Sequence, residues 1–119
     1  MHYESDYVVR IIEQMGAALR EAFVLFRGGA GPEDSLAMTE AAMGLAVDMD
    51  PKLFLQLSPQ SMVSLVEISS FDDRLVQKLA DAIILEAEIL EADGNIIEAQ
   101  VRREQAAALR NTLGPAHAN

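Results

Sequence analysis

Histidine and serine are the residues of this sequence that could carry acid–base or nucleophilic chemistry. The two histidines, His2 and His117, lie near the two ends of the chain, where side chains seldom hold a catalytic geometry. Serines such as Ser58 have no histidine near them in the sequence to activate a hydroxyl, and no Gly-x-Ser-x-Gly motif occurs. We therefore expect no catalytic residues and no enzymatic activity.

Metal and phosphate sites are also poorly supported by the residue spacing. The segment 93–96 resembles the middle of a calcium loop, but the first and last ligand positions of that loop would be Ile89 and Gln100. The glycine-rich segment 28–32 lacks the Lys-Ser or Lys-Thr end of a phosphate-binding loop. The chain contains no Cys, which excludes thiolate metal sites. We expect neither a metal nor a cofactor.

Two charged residues stand out because they fall among apolar or small ones. Glu86 lies on the same helical face as Leu75 and Leu79, and Arg103 falls among alanines of the next predicted helix. We predict that Glu86 and Arg103 form a structural ion pair across a helical hairpin. The functional alternative is an anion-binding site that uses Arg103 and Arg110.

The charge balance narrows the class of partner. Nine Lys and Arg residues stand against 19 Asp and Glu residues, which gives a formal net charge of −10. Because a polyanion would be repelled, we expect neither nucleic acid nor an anionic membrane surface as a partner. The first residues form no apolar leader and no stretch is long enough to span a bilayer, so we expect a soluble, cytoplasmic protein.

Glycine and proline divide the chain into helical segments. No segment alternates apolar and polar residues as a half-buried strand would, which predicts an all-α fold in a single domain covering residues 1–119. We expect about four main helices, at residues 7–27, 32–49, 73–92 and 95–113, with short connector helices at 51–68. The short connections between consecutive helices predict antiparallel helical hairpins.

The segment 85–99 resembles a tetratricopeptide repeat across its hairpin turn. Small residues match the positions at which two helices of that motif approach most closely, namely Ala87, Gly94, Ala99 and Ala106. A second, earlier copy of the pattern starts at Ala30. The layout as a whole resembles a small bacterial protein family of unknown function with tetratricopeptide-like helical hairpins. That resemblance implies a role in interaction or assembly.

The first predicted helix has more apolar surface than one neighbouring helix can cover. Its apolar side chains fill an arc of roughly 160°, whereas a hairpin mate covers a stripe of roughly 100°. One of the two edges of the arc would stay uncovered, either Ile12, Leu19 and Phe23 or Ile11, Ala18 and Leu25. We therefore predict a candidate interface that contains the following residues: Ile11, Ile12, Met15, Ala18, Leu19, Phe23 and Leu25.

These observations favour a non-enzymatic protein–protein interaction module that forms a homodimer or binds a protein partner. A surplus apolar arc on a strongly acidic helical domain is the feature that supports it. The alternative function is a small-molecule-binding helical bundle or sensor, with an anion site near Arg103 and Arg110.

Overall fold

Six α-helices and no β-strand are formed by the part of the chain that the structure, a computed structural model, describes. It describes residues 2–114, with side chains from residue 6 onward. The helices are α1 (His2–Arg27), α2 (Pro32–Ala46), α3 (Pro51–Phe54), α4 (Pro59–Ile68), α5 (Asp73–Ala92) and α6 (Ile96–Arg110). The predicted all-α class is confirmed.

Helices α3, α4 and α5 begin after a residue whose side chain caps the helix by a hydrogen bond, whereas α2 and α6 begin without one. Asp50 precedes α3 and accepts a hydrogen bond from the backbone N–H of Lys52 at 2.9 Å. Ser58 caps α4 by accepting from the N–H of Ser61 at 3.1 Å. Because the first N–H groups of a helix have no partner within the helix, such caps determine where it begins.

Two helices end before the predicted positions. Helix α2 ends at Ala46 rather than residue 49, because Val47 is extended, with φ −103° and ψ 142°, and places its side chain in the core. Helix α6 ends at Arg110, and residues 111–112 form a turn instead of continuing the helix to residue 113. At both ends a tertiary contact or a turn replaces the last helical residues that periodicity predicted.

The four long helices pack in two pairs, each of which is consecutive in the chain. Helix α1 packs against α2, α5 packs against α6, and α2 and α1 both contact α5. The connector helix α4 packs against α6. The main core therefore lies between all the main helices and the connector. Its largest fully buried side chains are Met15, Met43, Phe54, Met62, Leu79, Ile83 and Leu109.

Three helices end with the same hydrogen-bonded turn, but only two of them have glycine in the position that needs it. Gly29 after α1 and Gly94 after α5 have φ of 83° and 86°. At the end of α4 that position is Ser70, with φ 54°. The N–H of Phe71 bonds the Val66 carbonyl at 3.1 Å, which completes the turn. A side chain in this left-handed region is strained, so the end of α4 carries a local cost.

Ser70→Gly should therefore stabilise the protein. We expect the free energy of unfolding to rise by about 0.5–1 kcal/mol, because glycine adopts this backbone conformation without the Cβ clash. Ser69→Gly is the matched control: Ser69 has φ −79°, so glycine there should only add flexibility and lower stability. Urea unfolding measures both. A loss of stability in Ser70→Gly would show that the turn is not strained.

Candidate functional site

A groove runs between α1 and α5 on the surface of the molecule. It consists of two adjoining cavities of about 480 and 400 Å³, which share Lys78 and Asp81. We call it the α1–α5 groove. Its lining residues are Val9, Ile12, Glu13, Gly16, Leu19, Arg20, Phe23 and Val24 of α1, with Arg74, Gln77, Lys78, Asp81 and Leu85 of α5.

The structure divides the predicted interface residues into two groups. Ile12, Leu19 and Phe23 line the groove, and Phe23 keeps 47% of its surface exposed. Met15 is fully buried, so including it in an accessible interface was wrong. It lies at the centre of the apolar arc, where the core covers it.

The other edge of the arc does not line the groove. Ile11, Ala18 and Leu25 are partly accessible, as Ile12 and Leu19 also are, but none of the first three borders either cavity of the groove. Of the two edges left open by the sequence, the groove therefore contains the one with Ile12, Leu19 and Phe23.

Five α1 residues of the groove were not predicted: the apolar or small Val9, Gly16 and Val24, and the charged Glu13 and Arg20. Val9 and Val24 are exposed, Val24 by 67%, and Gly16 lies between them. Spacing could have found Val9 and Gly16, because they lie three residues before Ile12 and Leu19. Val24 gives no such signal, since it is next to Phe23 in the chain and points about 100° away from it. The apolar strip on α1 is thus longer than predicted.

Charged side chains line the rim of the groove. Asp81 is neutralised by Arg110, at 3.1 Å, and Arg74 is paired with Asp72 at 3.0 Å. Arg20 and Lys78 form no ion pair with any residue whose side chain the structure describes. Counting the described side chains only, the groove therefore offers two unpaired cations on a chain whose net charge is −10.

A second exposed apolar patch lies at the start of α6. Ile96, Ile97 and Val101 border a shallow cavity of about 570 Å³, and Ile97 is 85% exposed. It is formed by one helix and the turn before it, without a second wall. We call it the α6 patch.

A polar cluster is buried where α5, α6 and the connector meet. Arg102 donates to the carbonyl oxygen of Leu55 at 3.0 Å and to the side-chain oxygen of Gln105 at 3.1 Å. Gln105 donates to the carbonyls of Leu55 and Leu57, both at 2.8 Å. These bonds satisfy carbonyl groups at the end of α3, and they fasten the connector to α6.

The predicted ion pair between Glu86 and Arg103 is wrong, because the arginine beside Glu86 is Arg102. Glu86 lies beside Arg102, with 3.5 Å between Oε2 and Nε, whereas Arg103 pairs with Glu91 near the surface. One residue turns a helix by about 100°, so the neighbouring arginine faces a different direction. The missed signal was spacing: Arg102 shares the buried face of α6 with Ala99, Ala106 and Leu109.

Burial raises the pKa of Glu86 from 4.5 to about 8. The nearby Glu40 carboxylate of α2 raises it further by repulsion, while the positive charge of Arg102 lowers it. Arg102 approaches Glu86 only through Nε, at 3.5 Å, and its other nitrogens are engaged elsewhere: Nη1 donates to Leu55 and Gln105, and Nη2 lies 3.7 Å from the Glu98 carboxylate. At neutral pH the carboxyl group is therefore mostly protonated.

The arginines of the alternative anion site are both occupied by carboxylates of α5. Arg103 pairs with Glu91, and Arg110 pairs with Asp81. Neither arginine lines any of the cavities described above. An anion would have to displace a carboxylate to bind at either position.

The described part of the chain brings no metal-binding set together. Among its residues, no three His, Cys, Asp or Glu side chains converge. The side chains of His2 and His117 lie outside the described residues. No helix of residues 2–114 combines the length and the apolar character that crossing a membrane requires.

Comparisons with protein-family models, with curated proteins and with solved structures gave no match.

Proposed function

We propose that this chain is a non-enzymatic helical interaction module that pairs with a protein surface, in the first place that of a second copy of itself. The observation that carries the proposal is the α1–α5 groove, where Phe23 and Val24 remain exposed beside apolar residues of both helices. Exposed apolar side chains grouped in a groove are typical of an interaction site.

The packing order of the helices supports a tetratricopeptide-like arrangement. Each helix of the α1–α2 pair contacts α5, which in turn packs against α6, so the two pairs stack on one another. In such a stack the first helices of both pairs lie side by side, and a groove forms between them. The proposal includes the expected cytoplasmic location, and a chain without Cys is suited to that reducing compartment.

The Val24→Glu variant should be monomeric under conditions in which the wild type forms a dimer. Val24 is mostly solvent-exposed in a single chain, so the substitution should leave the fold intact while placing a charge in the apolar contact. We expect light scattering coupled to size exclusion, at micromolar concentration, to give two chains per particle for the wild type and one for Val24→Glu.

Ile97→Glu provides the matched control, since it makes the same kind of change in the α6 patch. It should keep the mass of two chains, and circular dichroism melting should show all three proteins folded. A wild-type mass of one chain would end the self-association proposal. Dissociation by Ile97→Glu alone would move the interface to α6.

The alternative function, a small-molecule-binding bundle, has a separate readout. A ligand that binds only the folded chain raises its melting midpoint by mass action. A screen of small carboxylic and phosphoric acids that raised the midpoint of the wild type, but not of Arg110→Gln, would favour that function over the interaction module.

A further inference from the structure

On the side of α1 that faces away from the core, a set of residues follows a regular spacing. One residue recurs every three or four positions: Asp6, Val9, Glu13, Gly16, Arg20, Phe23 and Arg27. All of these are exposed except Gly16, which is partly exposed. This spacing forms a straight stripe along a helix, as in the contact seam of paired helices. We call it the α1 seam.

Charges along the α1 seam are ordered by sign. The acids Asp6 and Glu13 lie in its first half, and the cations Arg20 and Arg27 lie in its second half. None of these four residues has an ion pair with another side chain that the structure describes. The stripe is electrically balanced, although the chain as a whole carries −10.

The order of signs is symmetric about one point. Glu13 and Arg20 lie equally far from the midpoint between Gly16 and Ala17, and so do Asp6 and Arg27. On two antiparallel copies of a helix, positions equally far from such a midpoint face each other. Each acid then meets a cation, whereas parallel copies would place like charges together.

The residue at this midpoint, Gly16, favours the close approach of a second helix to α1. Gly16 lies inside a 26-residue helix, where glycine costs about 0.5–1 kcal/mol relative to alanine. Inside a single chain a Cβ at this position would meet only the end of the Arg20 side chain, at 3.3 Å, so nothing rigid in the monomer requires a glycine. A second helix that crosses α1 at this point would require a glycine, because a Cβ there would keep the two backbones apart.

We infer that α1 pairs with α1 of a second copy in antiparallel orientation about Gly16, with Glu13 against the partner's Arg20 and Asp6 against the partner's Arg27. The inference rests on the proposed self-association and adds its geometry. The apolar seam residues Val9 and Phe23 lie between the charged pairs and supply the area that is removed from water. The charges set orientation and register.

Exchanging the two inner charges tests this pairing. Glu13→Arg and Arg20→Glu should each weaken the dimer about tenfold or more, because twofold symmetry turns two attractive contacts into two repulsive ones. The double variant Glu13→Arg with Arg20→Glu should return to within about threefold of the wild-type dissociation constant. Analytical ultracentrifugation at low salt measures all of these constants.

A control variant and a cross-linking experiment distinguish this specific pairing from an effect of the overall charge on association. Glu67→Arg makes the same charge change at an exposed site on α4 and should not weaken the dimer. Because the chain has no Cys, Glu13→Cys and Arg20→Cys chains can be mixed and treated with a short thiol cross-linker. Covalent dimers should form in the mixture and not within either variant alone.

The outcomes separate the two proposals. A monomeric wild type overturns both the self-association and the seam. A dimeric wild type whose double variant stays dissociated, or whose Glu13→Cys chains cross-link to each other, overturns the antiparallel seam and leaves self-association standing.

Discussion

Arg102→Leu should lower the free energy of unfolding by about 3–5 kcal/mol, because two buried hydrogen bonds from a charged donor are lost together. The Leu55 carbonyl would keep only Gln105 as a donor, and the side-chain oxygen of Gln105 would keep none. Leucine replaces most of the aliphatic part of the side chain, so the cost arises mainly from these polar groups. Urea unfolding followed by circular dichroism measures the change.

Arg103→Leu is the matched control at the next position. Its ion pair with Glu91 is partly exposed, and such pairs contribute at most about 1 kcal/mol. The two arginines are adjacent and chemically identical, so a large difference between the two variants can come only from their surroundings. Equal losses of stability would contradict the placement of Arg102 in the buried cluster.

Raising the pH from 5 to 8 should destabilise the wild type through Glu86. A carboxyl whose pKa is about 8 in the folded chain and 4.5 in the unfolded chain holds an extra proton in the folded state between those values. The free energy of unfolding then falls as pH rises, by about 1.4 kcal/mol per unit within this window. The contribution of Glu86 to the free energy of unfolding is fully present below the pKa of the unfolded chain, and it is lost as the pH rises through the pKa of the folded chain.

Glu86→Gln should remove this slope, because the amide cannot ionise. Its stability should resemble that of the wild type near pH 5 and exceed it by several kcal/mol above pH 8. Glu88→Gln, an exposed change two residues along α5, should leave the slope unchanged. Parallel pH profiles for Glu86→Gln and the wild type would contradict the raised pKa.

The pKa of Asp72 is shifted in the opposite direction to that of Glu86, and its effect on stability lies outside the range from pH 5 to 8. The hydrogen bond from the Arg74 side chain holds the pKa of Asp72 below its usual 3.8. Its stabilising contribution is therefore present at pH 5 and is lost only as the solution becomes more acidic. Asp72 therefore does not contribute to the change in the free energy of unfolding between pH 5 and 8.

The sequence allowed the helical class to be predicted because glycine, proline and capping residues mark helix ends locally. Gly94 is an example, since it has the left-handed conformation that ends a helix. Where local and tertiary preferences differ, as at Val47, the core decides and the helix ends early. Periodicity alone does not contain that information.

The candidate site was only partly predictable. Helical periodicity identified both apolar edges of α1, and choosing between them required the position of α5. The error at Arg103 has a related cause: Arg102 and Arg103 are equally charged, and only the alanines and Leu109 around Arg102 mark it as the inward one. The bonds from Gln105 to the carbonyls of Leu55 and Leu57 join distant segments, so no local pattern announces them.

The fastening of the connector to α6 affects how the chain opens. Arg102 and Gln105 reach carbonyls 47 to 50 residues earlier in the sequence, and Leu55 and Leu57 lie just before α4. If α6 detaches, these carbonyls lose their donors and α4 loses the helix that it packs against. The connector and the last helix therefore form one cooperative folding unit, although most of the chain between them belongs to α5.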